Sequence, residues 1–324
     1  MKIVTLEEGF LTPDVLKIFG EKADTDPYTM KTSAALVGTN VMEAYLDLGE
    51  GRIAAMDEAG IDMQVLSFSA PQIADTETAI HIMTEANDKA AEAVSKYPSR
   101  FAAFAALTAT DPSAVVTEFE RVLAKPGFVG GFICGTMNGE FLDERKYWPI
   151  LECAEAHRAP IYLHPYFPLP GVMQTYFKGR EELSAPVWGF MGDASCHFLR
   201  LLTAGVFDQF PELKIILGHL GESIPYNLDR INTRLSAFAR EKLKRSPADY
   251  ILNNLVITTS GNFSPQSLLC AMNTIGADNI LFSADWPNES NKTAVDFLEH
   301  LPVSRPDLEK IAYRNAERVL GLTS

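Results

Sequence analysis

Short β-rich runs alternate with longer segments of helical periodicity along the whole chain, and this alternation constrains the fold more than any other feature. The runs are Ile3–Leu6, Gln64–Phe68, Phe101–Leu107, Phe128–Cys134, Pro160–His164, Leu213–His219, Leu255–Thr259 and Ile280–Asp285. Between them lie helix-like stretches such as Ala79–Tyr97, Ser113–Leu123, Tyr147–His157 and Ala194–Ala204. Boundary signals agree: Asp111-Pro112-Ser113 opens one helix, and Gly60 closes the one ending AAMDEAG. Strand and helix repeated eight times read as βα units around a parallel sheet. Eight such units in 324 residues predict an α/β fold of the closed (β/α)8 TIM-barrel type rather than an open doubly wound sheet.

No linker, charge block or low-complexity tract divides the sequence, so residues 1–324 read as a single barrel domain. Two segments depart from the repeat. Residues 11–50 form a long insertion after the first run, at the strand end where a lid would sit. Residues 305–322 (RPDLEKIAYRNAERVLGL) read as an amphipathic helix that covers the barrel. The helical stretch Pro225–Arg240 is placed to pack beside the mouth or against a partner subunit.

Composition narrows the partners. Lys and Arg total 28 against 42 Asp and Glu, a formal charge of −14, which argues against nucleic acid or an anionic membrane as partner. The N-terminus has no apolar signal region, and no stretch reaches the roughly 18 apolar residues of a spanning helix. Cys134, Cys153, Cys196 and Cys270 are scattered without a CxxC pair and read as reduced thiols. A cytoplasmic protein is expected.

A barrel of this type gathers its chemistry at the C-terminal ends of its strands. The first run stops at Glu7, the fifth at His164, the sixth at His219 with Glu222 three residues on, and the eighth at Asp285. Singly, each has a plain structural reading: a solvated carboxylate, a hydrogen-bonded buried histidine, an Asx turn before Trp286-Pro287. Together they point to one site, because one fold sets all of them around one cavity. His81, His157 and His300 lie in helical stretches as ordinary residues, and His197 reads as core packing. Glu7, His164 and Asp285 offer two carboxylates and an imidazole, a set suited to one divalent Mg2+, Mn2+ or Zn2+ ion. The fourth run ends Ile133-Cys134-Gly135, with no lysine to bridge a second metal. Glu222 is spaced to orient the His219 imidazole. Glu8 is expected on the opposite face, in a structural role.

The phrases LEEGF, YLHP, ILGHLGE, ITTSGNF and FSADWP, in this order, resemble the decarboxylase branch of the amidohydrolase superfamily, from Ile3 to about Leu322. That branch includes the γ-resorcylate, 2,3-dihydroxybenzoate and salicylate decarboxylases and, more distantly, the aminocarboxymuconate semialdehyde decarboxylases. The resemblance implies metal ligation by Glu7, His164 and Asp285, and proton transfer by Asp285 aided by His219 and Glu222. It also implies a homodimer or homotetramer that uses no organic cofactor. The implied reaction is non-oxidative decarboxylation of a small hydroxylated aromatic acid by protonation of the ring carbon followed by loss of CO2. Two positions depart from the pattern: Gly9, where many relatives carry histidine, and Tyr166, where His-Pro-Arg is usual. Gly9 is expected to leave space for water or substrate at a three-ligand metal. A metal-dependent hydrolase of a lactone, amide or carbon–carbon bond is the alternative, and a non-catalytic ligand-binding barrel is a third reading.

Overall fold

In a computed structural model, residues 1–20, 41–70, 73, 75–239 and 242–322 are described. Eight strands lie side by side in sequence order: β1 Val4–Phe10, β2 Met63–Phe68, β3 Phe101–Ala106, β4 Phe128–Cys134, β5 Ile161–His164, β6 Ile215–Leu217, β7 Leu255–Thr258 and β8 Ile280–Leu281. Every adjacent pair is parallel. A parallel bridge between Leu6 and Ser283 joins the last strand to the first, so the sheet is the expected (β/α)8 barrel.

The sheet separates two apolar layers. Inside, Val4, Leu6, Val65, Phe104, Phe132 and Ile216 fill the barrel. Outside, alternate residues such as Phe101, Ile133, Leu163, Ile215 and Ile257 pack under the helices. Burial on both faces accounts for strands that read as continuous apolar runs.

Local signals set the helix ends where the sequence places them. Asp111 caps the helix Pro112–Leu123 by accepting from the Ser113 amide at 2.8 Å. Gly60, at φ +77°, ends the helix Glu50–Ala59 in the left-handed conformation that glycine adopts without strain. Other elements run longer than their periodicity suggests. The helix expected from Ala79 starts at Thr76, capped by Asp75, and the one expected from Ala194 starts at Gly189.

The tail covers the barrel as three pieces, Arg305–Glu309, a π turn at Lys310–Arg314 and Asn315–Leu320, rather than as one regular helix. Its Ala316 and Leu320 join the interior cluster, and Lys2 pairs with Glu317 at 2.7 Å beside the start of β1. Of the lid expected over residues 11–50, the middle, 21–40, lies outside the described residues; its described flanks include the helices Pro13–Gly20 and Val41–Leu46.

Candidate active site

The C-terminal rim is built from backbone that leaves the ladder. The strands expected to end on His219 and Asp285 stop earlier, at Leu217 and Leu281. Both residues sit in the following loops with positive φ, 52° at His219 and 73° at Asp285. β1 does the opposite and runs on to Phe10, with an irregularity between Thr5 and Glu8 that puts Glu7 at φ +62°. From His219 to Ser223 five consecutive residues have positive φ. Such conformations cost about 1–3 kcal/mol each outside glycine and persist where the surroundings dictate them, commonly at functional sites.

Several contacts hold this backbone. The Leu220 amide donates to Thr258 O at 2.7 Å, and the His219 amide to Ser260 Oγ at 3.1 Å. Gly218 allows β6 to approach closely, because a Cβ there would come within 2.8 Å of Glu7 Oε2 and 3.1 Å of the Tyr162 hydroxyl.

These loops bring the expected residues together. One ligand atom each from Glu7, His164 and Asp285 lies within 4.8 Å of the others. Glu7 is 2% exposed. Its Oε1 lies 3.1 Å from His164 Nε2 and 3.6 Å from His219 Nε2, yet accepts no aligned hydrogen bond. Three lone-pair donors therefore face one point, with a buried oxygen left unpaired there, which fits a divalent cation. His164 presents Nε2 because its Nδ1 is engaged by Pro165 O at 2.6 Å. Glu222 Oε1 lies 2.5 Å from His219 Nδ1, so His219 also presents Nε2, 3.9 Å from Asp285 Oδ2.

The charges are interdependent. Burial pushes the Glu7 carboxyl up, but His219 and His164 outweigh it and hold the group at about 2. Burial works against a charged His219, while Glu222 and Glu7 raise its pKa well above the usual imidazole range. Burial raises Asp285, with the Glu7 charge adding to it and the His219 contact opposing.

Other side chains at the rim carried no signal in the search for terminal metal-capable residues. Tyr162 donates to Glu7 Oε2 and lies 2.9 Å from Thr258 Oγ1. It stands two residues before His164 and shares its face, so strand alternation would have found it. Glu8 is fully buried and accepts from the Ala284 amide at 3.1 Å and the Trp286 amide at 3.3 Å, gripping the chain on both sides of Asp285. Burial pushes its carboxyl up to about 8 despite these donors and Arg52. His197 is buried away from the rim, where Nε2 accepts from the Leu142 amide at 3.0 Å.

The two departures resolve differently. Gly9 leaves no open space, contrary to expectation: a Cβ there would lie 2.7 Å from Tyr45 Cε1 and 2.9 Å from Ser69 Oγ. The room that histidine would need is filled by a tyrosine ring. Tyr166 stacks on Phe190 with centroids 6.5 Å apart and meets Phe167 edge-on at 5.3 Å. The rim there is an aromatic cluster rather than the cationic position of the resembled pattern.

Beside the clustered ligands opens a cavity of about 580 Å3 that includes His164, His219, Glu222 and Asp285 in its lining. Its apolar wall comes from Pro186, Val187, Phe190, Met191 and Leu220. Pro225 and Tyr226, at the start of the helix Ile224–Ala239, complete the side where a mouth-flanking helix was expected. Glu289 adds a further carboxyl, raised to about 7 by burial and by the Asp285 charge. Among the described residues, no helix is long and apolar enough to cross a membrane.

Residues 45–322 match the amidohydrolase family. A γ-resorcylate decarboxylase from Polaromonas sp. (strain JS666 / ATCC BAA-500) is 41% identical over 289 residues, covering 86% of this chain and 88% of that protein. A solved 2,6-dihydroxybenzoate decarboxylase in complex with 2,6-dihydroxybenzoate superposes with a TM-score of 0.90 at 37% identity, covering 99% of this chain and 100% of the other. The dihydroxybenzoic acid decarboxylase of Polaromonas sp. JS666, solved with manganese and the inhibitor 2-nitroresorcinol, gives 0.89 at 37% identity over 99% and 97%. The chain belongs to the amidohydrolase family, in its decarboxylase branch.

Proposed function

We propose that this protein removes CO2 from an ortho-hydroxylated benzoate of the dihydroxybenzoate class without oxidation. One observation carries the reading: Glu7, His164 and Asp285 converge beside the His219–Glu222 pair, at the edge of an apolar-walled cavity. The relatives' decarboxylase names, and the dihydroxybenzoate and manganese in their structures, support it.

Loss of CO2 directly from an aryl carbon would leave an unstabilised aryl anion, so the ring carbon must be protonated first. Glu7, His164 and Asp285 would hold a divalent metal, which supplies Lewis-acid stabilisation to the carboxylate and the adjacent phenolate oxygen. Asp285 serves as the carbon acid: its proton goes to the carbon bearing the carboxylate, and aromaticity is briefly lost. The bond to the carboxylate then breaks, its electron pair restores the ring, and CO2 leaves. His219 Nε2, held toward Asp285 by Glu222, is placed to return the proton to Asp285. Phe190, Met191 and Val187 give the substrate ring an apolar wall to lie against. A homo-oligomeric state and a cytoplasmic location belong to the same reading, the location supported by four cysteines that are all free.

The test is incubation of the purified chain with 2,6-dihydroxybenzoate and Mn2+, with resorcinol and CO2 quantified. Turnover is expected, with one solvent deuterium at the vacated ring position in D2O. Asp285→Asn should lower kcat by roughly 10^2 or more. No release from any ortho-hydroxybenzoate with Mn2+, Mg2+ or Zn2+ overturns the proposal. Solvent 18O in the organic product would identify a hydrolase instead.

A further inference from the structure

Asp285 is held from two directions, and only one comes from the neighbouring strand. From β1, Glu8 grips the amides of Ala284 and Trp286, and the Gly9 amide donates to Trp286 O at 2.5 Å. These bonds fix the backbone at φ +73° but do not touch the carboxyl group. The carboxyl is addressed from the other side. Asn288 Nδ2 donates to Asp285 Oδ1 at 3.3 Å, and the Tyr45 hydroxyl donates to Asn288 Oδ1 at 2.9 Å.

A tyrosine hydroxyl can donate or accept, whereas a charged carboxylate only accepts, so Asp285 takes the NH2 of Asn288 and the amide oxygen is left to accept from Tyr45, the two contacts together anchoring both ends of the amide. With Oδ1 engaged, Oδ2 is the oxygen left facing His219 Nε2 at 3.9 Å and approached by Gly261. Tyr45 comes from the helix Val41–Leu46, far in sequence from Asn288, and is 6% exposed. Its ring lies where a Cβ at position 9 would go, so the glycine is a condition for the tyrosine's placement.

We propose that Tyr45 and Asn288 form a positioning relay that orients the Asp285 carboxyl, keeping Oδ1 occupied and presenting Oδ2 to the metal and the substrate. Gly9 belongs to this device as the clearance that lets Tyr45 reach the rim. The relay acts through the Asp285 carboxyl, and of its two members Asn288 also lines the cavity. The inference rests on the metal-binding part of the functional reading, and its test is independent of turnover. Outer partners of metal ligands typically change metal affinity or activity by about 10–100-fold when removed.

The experiment is a Mn2+ titration of the metal-stripped full-length protein, with free Mn2+ followed by electron paramagnetic resonance. Parent, Tyr45→Phe, Asn288→Ala and the double variant are compared, with melting temperatures recorded alongside. Tyr45→Phe keeps the ring and removes the hydroxyl. Each single variant should weaken Mn2+ binding roughly tenfold. The double variant should be no weaker than Asn288→Ala alone, because both residues act on one carboxyl. Parent-like affinity in Tyr45→Phe overturns the relay, as does full additivity in the double variant. If Tyr45→Phe does not fold, parent-like affinity in Asn288→Ala overturns it, and a roughly tenfold loss supports it. Where the chain decarboxylates dihydroxybenzoates, kcat of Tyr45→Phe falls at unchanged KM. Failure of every substrate with the Mn2+ effect intact refutes the proposed function and leaves the relay standing.

Discussion

His219 and Glu222 form a closed pair on a left-handed turn: Nδ1 lies 2.5 Å from Oε1, and both residues have positive φ. The pairing fixes the imidazole so that its other nitrogen faces Glu7 and Asp285 at 3.6 and 3.9 Å. A carboxylate behind an imidazole sets both its orientation and its basicity, and the two effects separate by substitution.

Glu222→Gln keeps an acceptor for Nδ1 and removes the charge. Burial then acts against a charged His219 with only Glu7 and Asp285 left to oppose it, so its pKa falls from the raised value that Glu222 helps to maintain. The protonated form is lost at lower pH than in the parent. The limb of the pH–rate profile that requires protonated His219 should move to more acid pH, with kcat down roughly tenfold or more. An unmoved limb would mean that Glu222 acts only as a tether.

Tyr162→Phe tests the underside of the proposed metal site. The hydroxyl donates to Glu7 Oε2 inside the barrel, where both side chains are buried. Its loss leaves one carboxylate oxygen short of a partner, at about 1–3 kcal/mol. The variant should melt several degrees lower and bind Mn2+ more weakly. Parent values in both measurements would show that the contact contributes nothing.

Gly9→Ala is a prediction about packing. The added methyl would lie 2.7 Å from Tyr45 Cε1 and 2.9 Å from Ser69 Oγ, and Trp286 O, at 3.3 Å, is backbone held by Gly9 itself. Overpacking of this kind costs about 1–3 kcal/mol. A lower melting temperature is expected, with activity reduced because Tyr45 is pushed off Asn288. A parent-like melting temperature would show that the ring moves freely.

The barrel and the residues of its rim are legible in the sequence because both obey short rules. Buried parallel strands read as apolar runs, and βα punctuation counts them. Glu7, His164, His219 and Asp285 follow those runs closely enough to be noticed. What the sequence hides are relationships that depend on where loops cross. Tyr45 meets Asn288 only because the helix Val41–Leu46 lies over the end of β1. Strand alternation also fails locally. The irregularity in β1 changes the register at Leu6 and Glu7, and the departures after Leu217 and Leu281 take His219 and Asp285 out of the ladder. Gly9 is the clearest case: the absence of a side chain read as open space, when a distant ring fills it.

His197 yields a prediction about pH and stability that is separate from the metal. It is 2% exposed, accepts from the Leu142 amide through Nε2, and packs edge-on against Phe141 at 5.0 Å. Burial lowers its pKa to about 3, with Arg200 adding to the effect, so it is neutral in the folded protein across the mildly acid range. In the unfolded chain a histidine titrates near 6.5. Above that value neither state binds the proton and the contribution to stability is fully present. Between about 6.5 and 3 the unfolded chain takes up a proton that the folded one refuses, so stability falls as pH falls, by several kcal/mol over the whole interval. His197→Gln retains an acceptor for the Leu142 amide and does not titrate. In urea unfolding of metal-free protein from pH 7.5 to 4.5, the parent should lose stability faster than the variant, the difference growing steadily below pH 6.5. Parallel curves would show that His197 takes up its proton in the fold as readily as in the unfolded chain.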